Sequence, residues 1–168
     1  MGGDPLKHPE ELIRRVYAYV AYRIGDGAEA EDVTSATLER ALRYRSTYDA
    51  GRGTPQAWML GIARACMAEH FGRRVPEPAE MNDVPSGRDL AVDAVERLSL
   101  RAAVARLPDR DRELIARRYG ADLKVREIAE LLGERTNTVE VALHRALARL
   151  REHLTEEGTA AEPRVQPS

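Results

Sequence analysis

Apolar residues recur at helical spacing along almost the whole chain, and nowhere with the alternation of a half-buried strand. That period restricts the fold to packed helices. Leu12, Ile13, Val16, Val20 and Ile24 line one face of a first helix, with Pro9 in its first turn and Glu10 and Glu11 at its positive end. Gly25-Asp26-Gly27 breaks it. A second helix is expected from Asp26, with Glu29 as a capping-box-like partner and Val33, Leu38, Ala41 and Leu42 inward. Residues 46–54, STYDAGRGT, read as a loop that ends in an N-cap, Thr54, and a first helical residue, Pro55. A third helix follows, with Trp58, Met59, Ile62, Ala63 and Cys66 on its core side.

The period then lapses. From Val75 to about Arg97 the chain reads as a linker, with three prolines in VPEPAEMNDVPSG. Helical spacing resumes at Leu100, Ala103, Val104 and Leu107, is punctuated by Pro108, and continues over Asp109–Tyr119 with Leu114 and Ile115 inward. Val125–Leu132 is a short helix stopped by Gly133. Val139, Leu143, Ala146, Leu147, Leu150 and Leu154 form the cleanest stripe. The expected fold is all-α: a helical domain over 1–75, an acidic linker over 76–98, a second helical domain over 99–154 and a flexible tail over 155–168. Short helix, glycine turn and longer helix fit a helix-turn-helix, whose second helix enters the DNA major groove, and fit equally a helical hairpin that is only a packing unit.

Composition excludes several classes. The 168 residues carry a net charge of −2, so the chain is not a polycation that coats nucleic acid unaided. No apolar run is long enough to span a bilayer, and MGGDPLKHPEEL lacks the basic start and apolar stretch of a signal peptide. A cytoplasmic location without membrane insertion is expected. Cys66, the single cysteine, permits no internal disulfide. Cys66 and His70 lie one helical turn apart, but two ligands do not make a zinc site. There is no phosphate-cradling glycine motif, no HExxH and no nucleophile elbow. The expectation is therefore no enzyme, no metal and no cofactor.

Two stretches carry a family resemblance. LPDRDRELIARRYGADLKVREIAELLGERTNTVEVALHRALARLREHL, residues 107–154, resembles the promoter-binding C-terminal domain of bacterial sigma factors. AEAEDVTSATLERAL at 28–42, YDAGRGTPQAWMLGIAR at 48–64 and Glu69-His70 resemble the N-terminal sigma domain. With only these two domains, over roughly residues 10–154, the chain resembles the extracytoplasmic-function (ECF) group of the sigma-70 family.

The resemblance implies three surfaces. Docking on core RNA polymerase, through its beta-prime clamp with the beta flap as a second contact, would use Glu31, Asp32, Ser35, Glu39, Arg40 and Arg43 of the second helix. Reading the minus-35 element would fall to Lys124, Asn137, Thr138, Glu140, Val141, His144, Arg145 and Arg149, since the apolar stripe of the last helix turns inward. Arg145 is the leading candidate to read a base, and Lys124 and Arg149 are candidates for phosphate. Opening the minus-10 element would involve Tyr44, Tyr48, Asp49, Arg52, Gly53 and Thr54, with Arg64, Arg73 and Arg74 on phosphate. The chain departs from the family pattern at Ser35-Ala36, Ala65 and Glu140-Val141-Ala142. The acidic linker would thread the polymerase channels. An anti-sigma protein is an implied partner, beside core polymerase and promoter DNA.

Overall fold

The computed structural model describes residues 3–72 and 90–160, the side chains of 90–95 and 160 excepted. Within them the chain forms α1 (Pro9–Ile24), α2 (Ala28–Arg43), a 3₁₀ turn (Arg45–Thr47), α3 (Pro55–Gly72), α4 (Leu90–Ala105), α5 (Asp109–Ile115), α6 (Val125–Leu132) and α7 (Thr136–Ala160). A widened π turn, Ala116–Gly120, extends α5. There is no strand among the described residues.

The first three helices pack as a unit. Val16, Tyr19 and Val20 of α1 are buried against Val33 and Ala41 of α2 and Met59, Leu60 and Ala63 of α3. The valines, Met59 and Leu60 among them each contribute roughly 1.5–3 kcal/mol by leaving water. Leu42, expected inward, is instead 62% exposed, and Thr34 and Thr37 take the inner face. Their hydroxyls donate to the carbonyls of Ala30 and Val33, both at 2.7 Å, so neither buries an unmet donor. The expected Asp26 cap is also displaced. Helix α2 starts at Ala28 from Gly27 at φ 127°, with no side-chain cap. Asp26 accepts the Tyr17 hydroxyl instead, which ties the α1–α2 turn to α1.

The second group forms around α7. Val139, Leu143, Ala146 and Leu150 are buried against α4, α5 and α6. Gly133 ends α6 at φ 66°, the left-handed geometry that glycine adopts without strain. Two expected boundaries shift. Helix α4 begins at Leu90, so the last nine residues of the expected linker are helical. Its sequence, LAVDAVERLSLRAAVA, follows Gly87 and holds no breaker. Similarly, α7 runs through Ala160 rather than giving way to a tail at Thr155. Thr155 and Thr159 donate back to Arg151 and Thr155, and Glu156 pairs with Arg106 at 2.7 Å. The remainder of the linker, the rest of the tail, Arg73 and Arg74 lie outside the described residues.

The two groups meet along α1. Gly120 lies so close to it that an added Cβ would sit 2.8 Å from the Tyr19 backbone nitrogen and Cα. Beneath that contact Glu113 accepts the Tyr19 hydroxyl (2.8 Å) and pairs with the buried Arg117 (2.6 Å) and with Arg23 (2.9 Å). Burial, then the Glu113 carboxylate, push the Tyr19 phenol well above its ordinary range, so it stays a proton donor.

Candidate nucleic-acid interface

The helix-turn-helix is built from α6 and α7. Lys124 precedes α6, and its backbone N–H is taken by Glu127 at 2.7 Å, which caps the helix and leaves the exposed Lys124 side chain outward. Helix α7 buries Val139, Leu143, Ala146 and Leu150. Those four positions fix the opposite face. Asn137, Thr138, Glu140, Val141, His144 and Arg145 are all exposed on it, Val141 at 43%. This arrangement suits a helix that lies in a groove and presents amide, hydroxyl and guanidinium groups to base edges.

Arg149 does not join that face as a free cation. It forms an ion pair with Asp111 of α5, whose side chain is 8% exposed. The apolar stripe places Arg149 one turn beyond Arg145, but only the tertiary fold shows a buried carboxylate waiting there. Arg149 therefore ties α7 to α5. Arg135, which the sequence reading passed over, is exposed directly ahead of α7. Its position before the first helical residue was the available signal. Neighbouring Glu134 is committed to Arg110 at 2.7 Å, and that hydrogen bond holds its carboxyl below the usual range.

The loop between α2 and α3 is a separate small structure. Asp49 accepts the Gly51 N–H at 2.9 Å and closes a turn. Tyr48 donates its hydroxyl to the Gly53 carbonyl at 2.9 Å and sets its ring 5.5 Å from Trp58. Gly53 holds φ 156°, and Thr54 accepts the Ala57 N–H at 3.2 Å, capping α3. Tyr48, Asp49, Gly53 and Thr54 thus share one ordered turn. Arg52 is exposed on it, and Tyr44, 48% exposed, stands at the end of α2. Trp58 is half-buried against the core, as its spacing with Ile62 requires. Arg64 is exposed lower on α3, in a groove with Met67, Phe71 and Leu132. Gln56, also not anticipated, points from the first turn of α3 to the Ala121 carbonyl.

The outer face of α2 carries Glu31, Asp32, Ser35, Glu39 and Arg43, all exposed. Arg43 reaches Glu39 at 3.4 Å. Arg40 departs from this set. It grips both carboxylate oxygens of Glu69 on α3 (2.8 and 2.7 Å), which fastens α2 to α3. Among the described residues no cluster of three metal-ligating side chains occurs, and no helix is long and apolar enough to cross a membrane.

Comparison with known proteins gives these surfaces a context. Residues 10–75 match the model of Sigma-70 region 2, and residues 97–150 match that of Sigma-70, region 4. The chain is 32% identical to the ECF RNA polymerase sigma factor SigF of Caulobacter vibrioides over 160 residues, covering 92% of this chain and 89% of that one. It is 32% identical to the ECF RNA polymerase sigma factor BldN of Streptomyces coelicolor over 143 residues, which is 80% of this chain and 54% of BldN. The RNA polymerase sigma factor SigV of Bacillus subtilis is 29% identical, with 89% and 88% covered. Among solved structures, the sigma factor RpoE bound to the anti-sigma factor NepR from Bartonella quintana superposes with a TM-score of 0.65. It is 19% identical, with 86% of this chain and 92% of that one covered. CnrH with the cytosolic domain of CnrY gives 0.61 at 21% identity, with 89% and 84% covered.

Proposed function

The chain belongs to the sigma-70 family, in its ECF group, and on that premise we propose that it binds core RNA polymerase and directs initiation at particular promoters. The observation that carries this reading is the pair of family matches, region 2 then region 4, in one chain and in that order. The chain supplies recognition surfaces and does no chemistry of its own, and it works in the cytoplasm, where polymerase and promoter are.

Each surface takes one task. The exposed carboxylates and Arg43 of α2 offer a mixed-charge face to the beta-prime clamp of the polymerase, and the second group of helices contacts the beta flap. The outward face of α7, from Asn137 to Arg145, enters the major groove of the minus-35 element, with Lys124 and Arg135 on phosphates. The turn from Tyr48 to Thr54 receives an unstacked base of the minus-10 element, beside Tyr44 and Arg52. Arg64 takes phosphate. Arg40 and Arg149 hold the scaffold. An anti-sigma protein is a further proposed partner, supported by the fold shared with RpoE in its NepR complex.

The test is reconstitution. Adding the purified chain to core RNA polymerase on genomic template should start transcripts at a restricted set of positions, which transcript-end mapping identifies. Failure to bind core, or transcription that starts no differently from core alone, overturns the reading. A second reading, a sigma-like regulator that binds core without opening DNA, is favoured by exposed Glu140, an acid on the face proposed for DNA. Core binding with no permanganate-reactive open bubble would select it.

A further inference from the structure

The face of α7 proposed to meet DNA carries a carboxylate and an isopropyl group side by side, Glu140 and Val141, both exposed. They stand where the chain departs from the family pattern, so their readout is a property of this chain. Glu140 differs from the acids before it. Every acid from Asp109 to Glu134 has a partner, as Asp111 has Arg149, Glu130 has Arg126 and Glu134 has Arg110. Glu140 has no hydrogen bond or ion pair among the described residues, although His144 and Arg145 are exposed one turn on. Val141 is the one large apolar side chain of α7 that is exposed among the described residues. It lies in a row between Asn137 and Arg145, about 6 Å along the helix axis from each.

The major groove gives such a pair a narrow choice of bases. A carboxylate only accepts hydrogen bonds. Guanine presents the acceptors N7 and O6, thymine presents O4, and adenine sets its amino group beside N7. Cytosine presents its N4 amino group with no acceptor beside it on the same base. An unpaired glutamate on this face therefore weakens binding to most sequences and favours cytosine. The isopropyl group of Val141 has one apolar counterpart in the groove, the thymine 5-methyl. Adjacent Cα atoms are about 3.8 Å apart and stacked base pairs about 3.4 Å apart, so two consecutive residues meet neighbouring base pairs.

We propose that Glu140 and Val141 make this chain select a C·G pair beside a T·A pair within the minus-35 element, Glu140 accepting from the cytosine N4 amino group and Val141 packing on the thymine methyl. This rests on the sigma-factor reading and adds to it the bases that this helix reads.

The test uses the full chain with core polymerase, on promoter duplexes randomised across the minus-35 element upstream of a mapped start. Wild type should enrich cytosine at one position, about 5- to 150-fold over the other bases, with thymine one or two steps away. Glu140→Gln should move the preference from cytosine to adenine at that position alone, because glutamine pairs with adenine through two hydrogen bonds. Val141→Ser should lose the thymine preference alone. One arm needs no variant. Deoxyuridine in place of that thymine removes only the methyl, and should weaken wild-type binding about fourfold while leaving Val141→Ser indifferent. Wild-type affinity of both variants for core shows that they are folded. The proposal is overturned if wild type initiates without preferring cytosine and thymine there, or if deoxyuridine is tolerated. It is overturned equally if Glu140→Gln strengthens binding to all sequences alike, since the acid then only repels. Failure of wild type to bind core or to initiate overturns the sigma-factor reading instead.

Discussion

Arg145 and Arg149 stand one turn apart on α7, yet the structure gives them different work. Arg145 is exposed among Thr138, Val141 and His144 on the side proposed to face the groove. Arg149 is spent on Asp111, whose carboxylate has little other access to water. Arg145→Ala should cost about 1–3 kcal/mol of discrimination, a loss of roughly 5- to 150-fold in promoter selection, with core binding unchanged. Competition transcription between a cognate and a mismatched promoter reads the first, and a core pull-down the second. Arg149→Ala should leave that selectivity intact and lower unfolding stability by about 1–3 kcal/mol, because Asp111 loses the partner that offsets its burial. A urea melt of the free chain checks it. Equal loss of selectivity in both variants would return Arg149 to the DNA-facing set.

At the scale of elements, Gly133 governs how α6 hands over to α7. Its φ of 66° is left-handed, and nothing lies within 4 Å of an added Cβ, so Gly133→Ala tests conformation alone. The expected cost is about 1 kcal/mol, read as a lower urea midpoint, with weakened promoter recognition because the angle between the two helices is disturbed. Such a glycine was legible in the sequence because a local rule demands it. The same holds for Thr54-Pro55 at the head of α3 and for the α7 stripe. Other features were not legible, for physical reasons. Leu42 reads as core by its period but no helix among the described residues covers it, while Thr34 and Thr37 read as polar but satisfy their hydroxyls within α2. Helix α4 was hidden to Leu98 because the prolines ahead of it masked where breakers end. Arg40 and Arg149 carry no sequence mark that Glu69 or Asp111 lies opposite. Gly120 looks like an ordinary turn residue until α1 is laid against it.

Across the whole molecule, charge is divided in a way the net value of −2 conceals. Residues 1–74 hold 11 bases and 10 acids, residues 75–98 carry a net −4, and residues 99–154 hold 12 bases and 9 acids. Much of the positive excess is already committed, Arg23, Arg106, Arg110, Arg117 and Arg149 each being paired with an acid. On the side of the helix-turn-helix proposed to meet DNA, Lys124, Arg135 and Arg145 are exposed beside the repulsive Glu140, while Arg126 pairs with Glu130 and Arg151 lies farther along α7. Counterion release then sets the salt response. Three neutralised phosphates give a slope of log K against log salt of about −2.7, shallow for a DNA-binding protein. The free chain should therefore bind duplex DNA weakly, and tight promoter binding should require polymerase. Fluorescence anisotropy on a mapped promoter duplex, from 50 to 200 mM salt, measures both quantities. Lys124→Ala should reduce the magnitude of the free-chain slope by about one unit without changing preference between promoters, as a phosphate contact does. Arg135→Ala should behave alike. A slope left unchanged by both would mean that the free chain meets DNA through another face, and that the helix-turn-helix is engaged only within the polymerase complex.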